Sequence, residues 1–125
     1  MLAQVTEQTV LHHDLYELAP ALPSYVANTA AGSPAGPVVL IGDAAHAMTP
    51  DLGRGACEAL VDGITVAERL VAEPTVDAAL AAYDARRRPV TQRMARMSRA
   101  VNRLAHARRL VRLRDAGLRV ALAAA

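Results

Sequence analysis

The chain has 125 residues and a net charge of +2, room for one small domain or for part of a larger one. Apolar residues make up 53%, yet there is no Phe, no Trp and only 3 Tyr, so a self-sufficient core would be thin. The lone Cys57 excludes an internal disulfide and a cysteine-based zinc cluster, and it fits a reducing cytoplasm.

All 14 basic residues are Arg, most of them between Arg86 and Arg119. Such asymmetry can mark an acidic partner or nucleic acid, but a solvated helix face is the plainer reading. Without Phe or Trp to stack on bases, nucleic acid is not expected as a partner. The opening Met1-Leu2-Ala3-Gln4 is unlike a signal peptide, and no uncharged apolar run reaches about eighteen residues. A soluble, cytoplasmic protein with no membrane partner is expected.

In chain order, Thr9 to Leu18 (TVLHHDLYEL) reads as a strand that stops before Pro20. Residues 28–37 (NTAAGSPAGP) hold Gly and Pro and no large apolar side chain, and read as a loop. Val38-Val39-Leu40-Ile41 suits a strand buried on both faces, as in parallel sheets, and it ends at Gly42-Asp43. A helix is predicted from Gly53 to about Glu73, with Ala56, Leu60, Ile64, Ala67 and Val71 as its apolar face and Pro74 as its stop. Thr75 is a plausible N-cap for a helix carrying Val76, Leu80 and Tyr83 on one face, interrupted at Pro89. A further helix runs from Pro89 to about His106, with an apolar stripe of Val90, Met94, Met97, Val101 and Leu104 opposite Arg93, Arg96, Arg99 and Arg103. A last amphipathic stretch, Arg108 to Leu122, is divided by Asp115 and Gly117.

The chemistry is concentrated in Val38 to Asp62, VVLIGDAAHAMTPDLGRGACEALVD. A strand delivers Gly42 and Asp43 at its C-terminal end, where open α/β sheets place ligands. Gly42 permits a sharp turn, Ala44 and Ala45 leave room beside the chain, and the Asp43 carboxylate can accept two hydroxyls of a sugar-like group. Pro50 stiffens the approach to a helix whose first N–H groups are exposed at Gly53 and Gly55, a site for negative charge. A flavin needs both features, because its ribityl chain carries hydroxyls and its reduced ring carries negative charge.

GDAAHAMTPDLGRG resembles the second FAD fingerprint of the class A flavoprotein monooxygenases, the group of para-hydroxybenzoate and salicylate hydroxylases. LHHDLYELAPALPSYV upstream and LAAYDARRRP downstream also look like segments of that family. The resemblance implies that Asp43, after Gly42 and before Ala44, binds the ribityl chain. It implies that Pro50 lies beside the isoalloxazine with its carbonyl near the reactive flavin peroxide, its backbone acting in catalysis. It also implies that the amides of Leu52 and Gly53, with Arg54 and Gly55, meet the N1 and O2 edge of the ring. Members often carry a polar uncharged residue where Asp51 stands and Gln where Arg54 stands. Arg54 would favour reduced flavin, whereas Asp51 would oppose it.

The resemblance further implies an α/β fragment, mostly helical, matching the closing third of such an enzyme. Residues 1–27 would be a remnant of the substrate-domain sheet, 28–37 a loop, and 38–125 the C-terminal half of a Rossmann-like FAD-binding domain with C-terminal helices. The GxGxxG unit of the family does not occur in the chain, and its Asp-Gly motif has no counterpart here, since Asp62-Gly63 falls inside the predicted helix. The implied activity is hydroxylation of an aromatic substrate with NAD(P)H, O2 and FAD through a flavin hydroperoxide. A homodimer or a companion chain are both open as partners.

Each residue has a plainer reading beside the functional one. Asp43 in isolation would be a turn-capping Asp. His46 is more often a structural hydrogen-bonding group than a base. His12 and His13 read as strand residues, Cys57 as a small packed side chain, and Asp62 as the anchor of a turn. Arg86, Arg87 and Arg88 read as a solvated face or as an ion pair with Asp84. Two rival functions follow: a non-catalytic remnant that needs a partner chain, and an Arg-rich helical interaction module.

Overall fold

The computed structural model of the protein describes residues 13–27, 36–107 and 111–123. Two short strands, β1 (Val26–Ala27) and β2 (Val38–Val39), pair antiparallel with Val26 opposite Val39 and Ala27 opposite Val38. After β2 come a single helical turn α1 (Asp43–His46), a 3-10 turn (Pro50–Leu52) and three helices: α2 (Gly55–Ala72), α3 (Val76–Ala105) and α4 (Val111–Ala123). The described residues are therefore mostly helical with a two-stranded sheet. No helix among them is long and apolar enough to cross a membrane.

The antiparallel hairpin corrects the expectation of a buried parallel strand. Val38 and Ile41 are 42% and 43% exposed, because β2 has only β1 beside it among the described residues. The upstream strand is also corrected: residues 13–18 run without regular structure, and residues 9–12 lie outside the described residues. Among the described residues of that segment, Leu18 donates its N–H to the Ala47 carbonyl at 2.9 Å in place of a ladder. Most of the expected 28–37 loop likewise lies outside the described residues.

Thr75 caps α3 as its sequence position indicates, its hydroxyl accepting from the Ala78 amide at 3.2 Å. The helix then runs for 30 residues, straight through Pro89, where an interruption was expected. An interior proline costs roughly 3 kcal/mol in a free helix. Here Arg87 before it and Thr91 after it are both buried and hydrogen-bonded to other elements, which holds the two halves in one register. Likewise α4 is continuous through Asp115 and Gly117, with residues 108–110 outside the described residues.

The largest correction concerns which faces are buried. On α2 the expected core face lies outward: Leu60 is 71% exposed, Ile64 60% and Val71 90%, and Ala56 and Ala67 are exposed too. Glu58, Asp62 and Thr65 are buried in their place. The second half of α3 repeats the pattern, with Val90, Met97, Val101 and Leu104 exposed while Thr91 and Ser98 are buried. Periodicity locates a stripe but not its partner, and here α2 and α3 are joined by ion pairs, Arg87 with Glu58 and Asp62 and Arg86 with Glu68. The apolar centre is small: Tyr25, Ala45 and Tyr83, with Leu22, Val39, Leu40 and Val66 packed around them. Each ring ends in a hydrogen bond, Tyr25 to the Thr91 hydroxyl at 2.8 Å and Tyr83 donating to the Leu40 carbonyl at 2.9 Å.

Candidate flavin site

The candidate residues fall on two neighbouring arms. The first is the turn from β2 into α1. Gly42 is buried with φ 57° and ψ −138°, a conformation essentially reserved for glycine. A Cβ added there would meet the Ala59 Cβ at 3.0 Å, so the turn is pressed against α2. Asp43 follows as the first residue of α1; it and Ala44 are exposed, and the Asp43 carboxylate has no hydrogen-bond partner among the described residues.

The second arm is the approach to α2. Pro50 opens the 3-10 turn and is exposed, Leu52 closes it half-buried, and Gly53 follows in the left-handed region at φ 62°. The helix starts two residues later than its periodicity indicates, at Gly55, with Arg54 as N-cap and no side-chain cap. The first bond of this helix runs from the Glu58 amide to the Arg54 carbonyl at 2.9 Å. The amides of Gly55, Ala56 and Cys57 thus precede the ladder, leaving donors and a positive dipole end at this point. Arg54 is turned back on its own helix, bonding Glu58 Oε1 from Nη2 at 2.9 Å. Cys57 is exposed rather than packed.

Both arms are tied down from behind. Asp62, fully buried on α2, accepts the Gly42 amide at 3.0 Å, His46 Nε2 at 2.6 Å and Arg87 Nε at 2.7 Å. Burial alone would raise its carboxyl, but hydrogen bonds from Arg87, the Gly42 amide and His46 outweigh it and hold its pKa below the ordinary range. Asp62 anchors the turn, as its sequence position indicated, and His46 is a structural group with one nitrogen committed to that carboxylate. Residues 47–53 are held by α3 instead. Ser98 donates to the Thr49 carbonyl, and Asn102 donates to Asp51 Oδ1 at 3.2 Å. Asp51, which was expected to oppose an anion at the helix start, is thereby engaged with α3.

Sequence reasoning missed Arg87 and Glu58. In sequence Arg87 reads as part of a solvated face or as an ion pair with Asp84, yet its side chain is 7% exposed and bridges Asp62 and Glu58, each at 2.7 Å. Hydrogen bonds from Arg87 chiefly hold the Glu58 carboxyl below its ordinary range, against burial, with Arg54 assisting. A signal existed: Leu80, Tyr83, Arg87 and Thr91 recur at helical spacing, as do Glu58 and Asp62. Its neighbours fit the plainer reading better, Arg88 pairing half-buried with Asp84 at 3.1 Å and Arg86 pairing at the surface with Glu68 at 3.5 Å. His13 is exposed in irregular chain and His12 lies outside the described residues. Among the described residues no group of His, Cys, Asp and Glu could hold a metal ion.

The sequence model of the family described as FAD binding domain matches residues 24–98. The chain is 51% identical over 63 residues to a kynurenine 3-monooxygenase of Salinispora arenicola (strain CNS-205), half of this chain and 14% of that protein. It is 46% identical over 82 residues to a salicylate hydroxylase of Pseudomonas putida, 62% of this chain and 16% of that protein. The chain therefore spans only a small share of the relatives it matches. Among solved structures, HpxO of Klebsiella pneumoniae complexed with FAD and uric acid is similar at a TM-score of 0.56 and 30% identity, covering 58% of this chain and 19% of that one.

Proposed function

The chain belongs to the FAD binding domain family of FAD-dependent aromatic monooxygenases, and on that premise we propose that it supplies the ribityl and isoalloxazine side of a flavin site. The observation that carries this reading is the Asp43 carboxylate, without a partner among the described residues, together with the start of α2, which has no side-chain cap. Asp43 accepts ribityl hydroxyls, and the turn at Gly42 and the small Ala44 let the ligand approach the backbone. The amides around Leu52, Gly53 and Gly55 and the dipole of α2 stabilise negative charge on the ring edge, and Arg54 offsets the nearby Glu58 carboxylate. Pro50 lies on the same loop, its backbone bordering the place of reaction.

A bound flavin would supply the redox and oxygen chemistry, drawing electrons from NAD(P)H and using O2 on an aromatic substrate. The part of these residues is to bind, orient and stabilise charge. In this reading residues 38–125 are the C-terminal half of the FAD-binding domain and 1–27 a remnant of the substrate-domain sheet, with a cytoplasmic location. Catalysis belongs to an assembly that completes the flavin site, within one chain or with a companion.

The test is FAD affinity in the native protein, measured by equilibrium titration of flavin fluorescence. Loss of hydrogen bonds to a charged acceptor weakens binding by roughly tenfold or more, so Asp43→Ala is expected to raise the Kd by at least that factor. Unchanged affinity would remove Asp43 from the site.

A further inference from the structure

We propose that Arg87 is a positioning residue for the flavin site, a single buried guanidinium that fixes the Gly42–Asp43 turn and the start of α2 relative to one another. The proposal rests on the reading of those two arms as flavin-binding elements.

Arg87 uses its two faces on two different carboxylates. Its Nε donates to Asp62 Oδ1 at 2.7 Å, and its Nη2 donates to Glu58 Oε2 at 2.7 Å and to the Glu58 carbonyl at 3.3 Å. Each carboxylate turns its other oxygen toward one arm of the site. Asp62 Oδ2 accepts the Gly42 amide at 3.0 Å and His46 Nε2 at 2.6 Å, which sets where Asp43 emerges. Glu58 Oε1 accepts Arg54 at the N-cap of α2, from Nη2 at 2.9 Å and Nε at 3.2 Å.

The arrangement needs an arginine. A planar fork can serve two carboxylates at once, whereas a lysine ammonium is one point charge on a flexible stem. It also solves an electrostatic difficulty. Glu58 and Asp62 lie in the first turns of the helix whose start is to receive negative charge, and Arg87 with Arg54 neutralises both. Arg87 is itself buried, so it acts on the ligand only through the two acids.

The experiment is a double-mutant cycle on FAD affinity in the native protein: wild type, Asp43→Ala, Arg87→Lys and the pair, with an unfolding curve for each. Arg87→Lys is expected to weaken FAD by about tenfold when Asp43 is present, and by less than about twofold in the Asp43→Ala background. The coupling follows because a misplaced Asp43 and an absent one forfeit the same contact. Equal factors in the two backgrounds, or no effect in either, would overturn the proposal, since a general loss of stability acts equally on both. If Arg87→Lys does not fold, Asp62→Asn replaces it in the cycle with the same two outcomes. An effective Asp43→Ala with an additive Arg87 removes only the Arg87 proposal; an ineffective Asp43→Ala, or wild type that does not bind FAD, removes the site reading as well.

Discussion

The two faces of α2 are organised against the usual order. The inward face carries Glu58, Asp62 and Thr65, each satisfied by a named partner: Arg87, Arg87 with Gly42 and His46, and the Val61 carbonyl. The outward face carries Leu60, Ile64 and Val71 and gains little from apolar burial within the described residues. A buried charge pair contributes specificity of arrangement more dependably than net stability, because desolvation offsets much of its attraction. The inward face therefore sets geometry. The outward face is left as unused apolar area, about 25 cal/mol for each Å² that a covering surface would bury.

The largest expected effect tests the inward face. Asp62→Ala strands Arg87 and leaves the Gly42 amide unpaired, and is expected to cost about 3–5 kcal/mol by chemical denaturation. The acid limb of the stability profile gives the sign. Asp62 and Glu58 titrate below their ordinary range in the folded state, so their contribution is complete above the unfolded carboxylate pKa of about 4 and is lost as pH falls through the folded values. Asp62→Ala should shrink that acid-labile component. An unchanged acid limb would show that the network holds no differential charge energy.

An intermediate effect is expected where the inward face meets the turn. Gly42→Ala forces a side chain into a left-handed conformation and brings its Cβ to 3.0 Å from the Ala59 Cβ. A loss of about 1–3 kcal/mol in thermal or chemical unfolding follows. A neutral result would mean that the turn is not pressed against α2.

The smallest effect belongs to the outward face. Leu60→Gln and Ile64→Gln should change stability by no more than about 0.5 kcal/mol if that face stays in water. A loss above about 2 kcal/mol would show that the native protein covers this stripe.

Much of the site was legible in the sequence because it depends on local rules. Gly42 as a sharp turn before Asp43 and Pro50 ahead of the helix follow from backbone sterics acting over a few residues, whereas Gly53, expected as the first helical residue, stands in the left-handed region and the helix begins at Gly55. The Thr75 cap and the turn-anchoring role of Asp62 were legible for similar reasons. Less was legible at Val38–Ile41, where an apolar run is compatible with a buried parallel strand or with the edge of a hairpin, and only a partner decides.

The family fingerprint, the existence of the helices and the turn at Gly42 follow from the residues alone, because they rest on short-range geometry and on residue types at fixed spacing. Only the tertiary structure decided which face of each helix turned inward, that α3 passes through Pro89, and that Arg87 joins Asp62 to Glu58. Those outcomes depend on charges 25 and 29 residues apart finding one another in a buried place. There, pairing of ions rather than apolar periodicity sets the interface between α2 and α3.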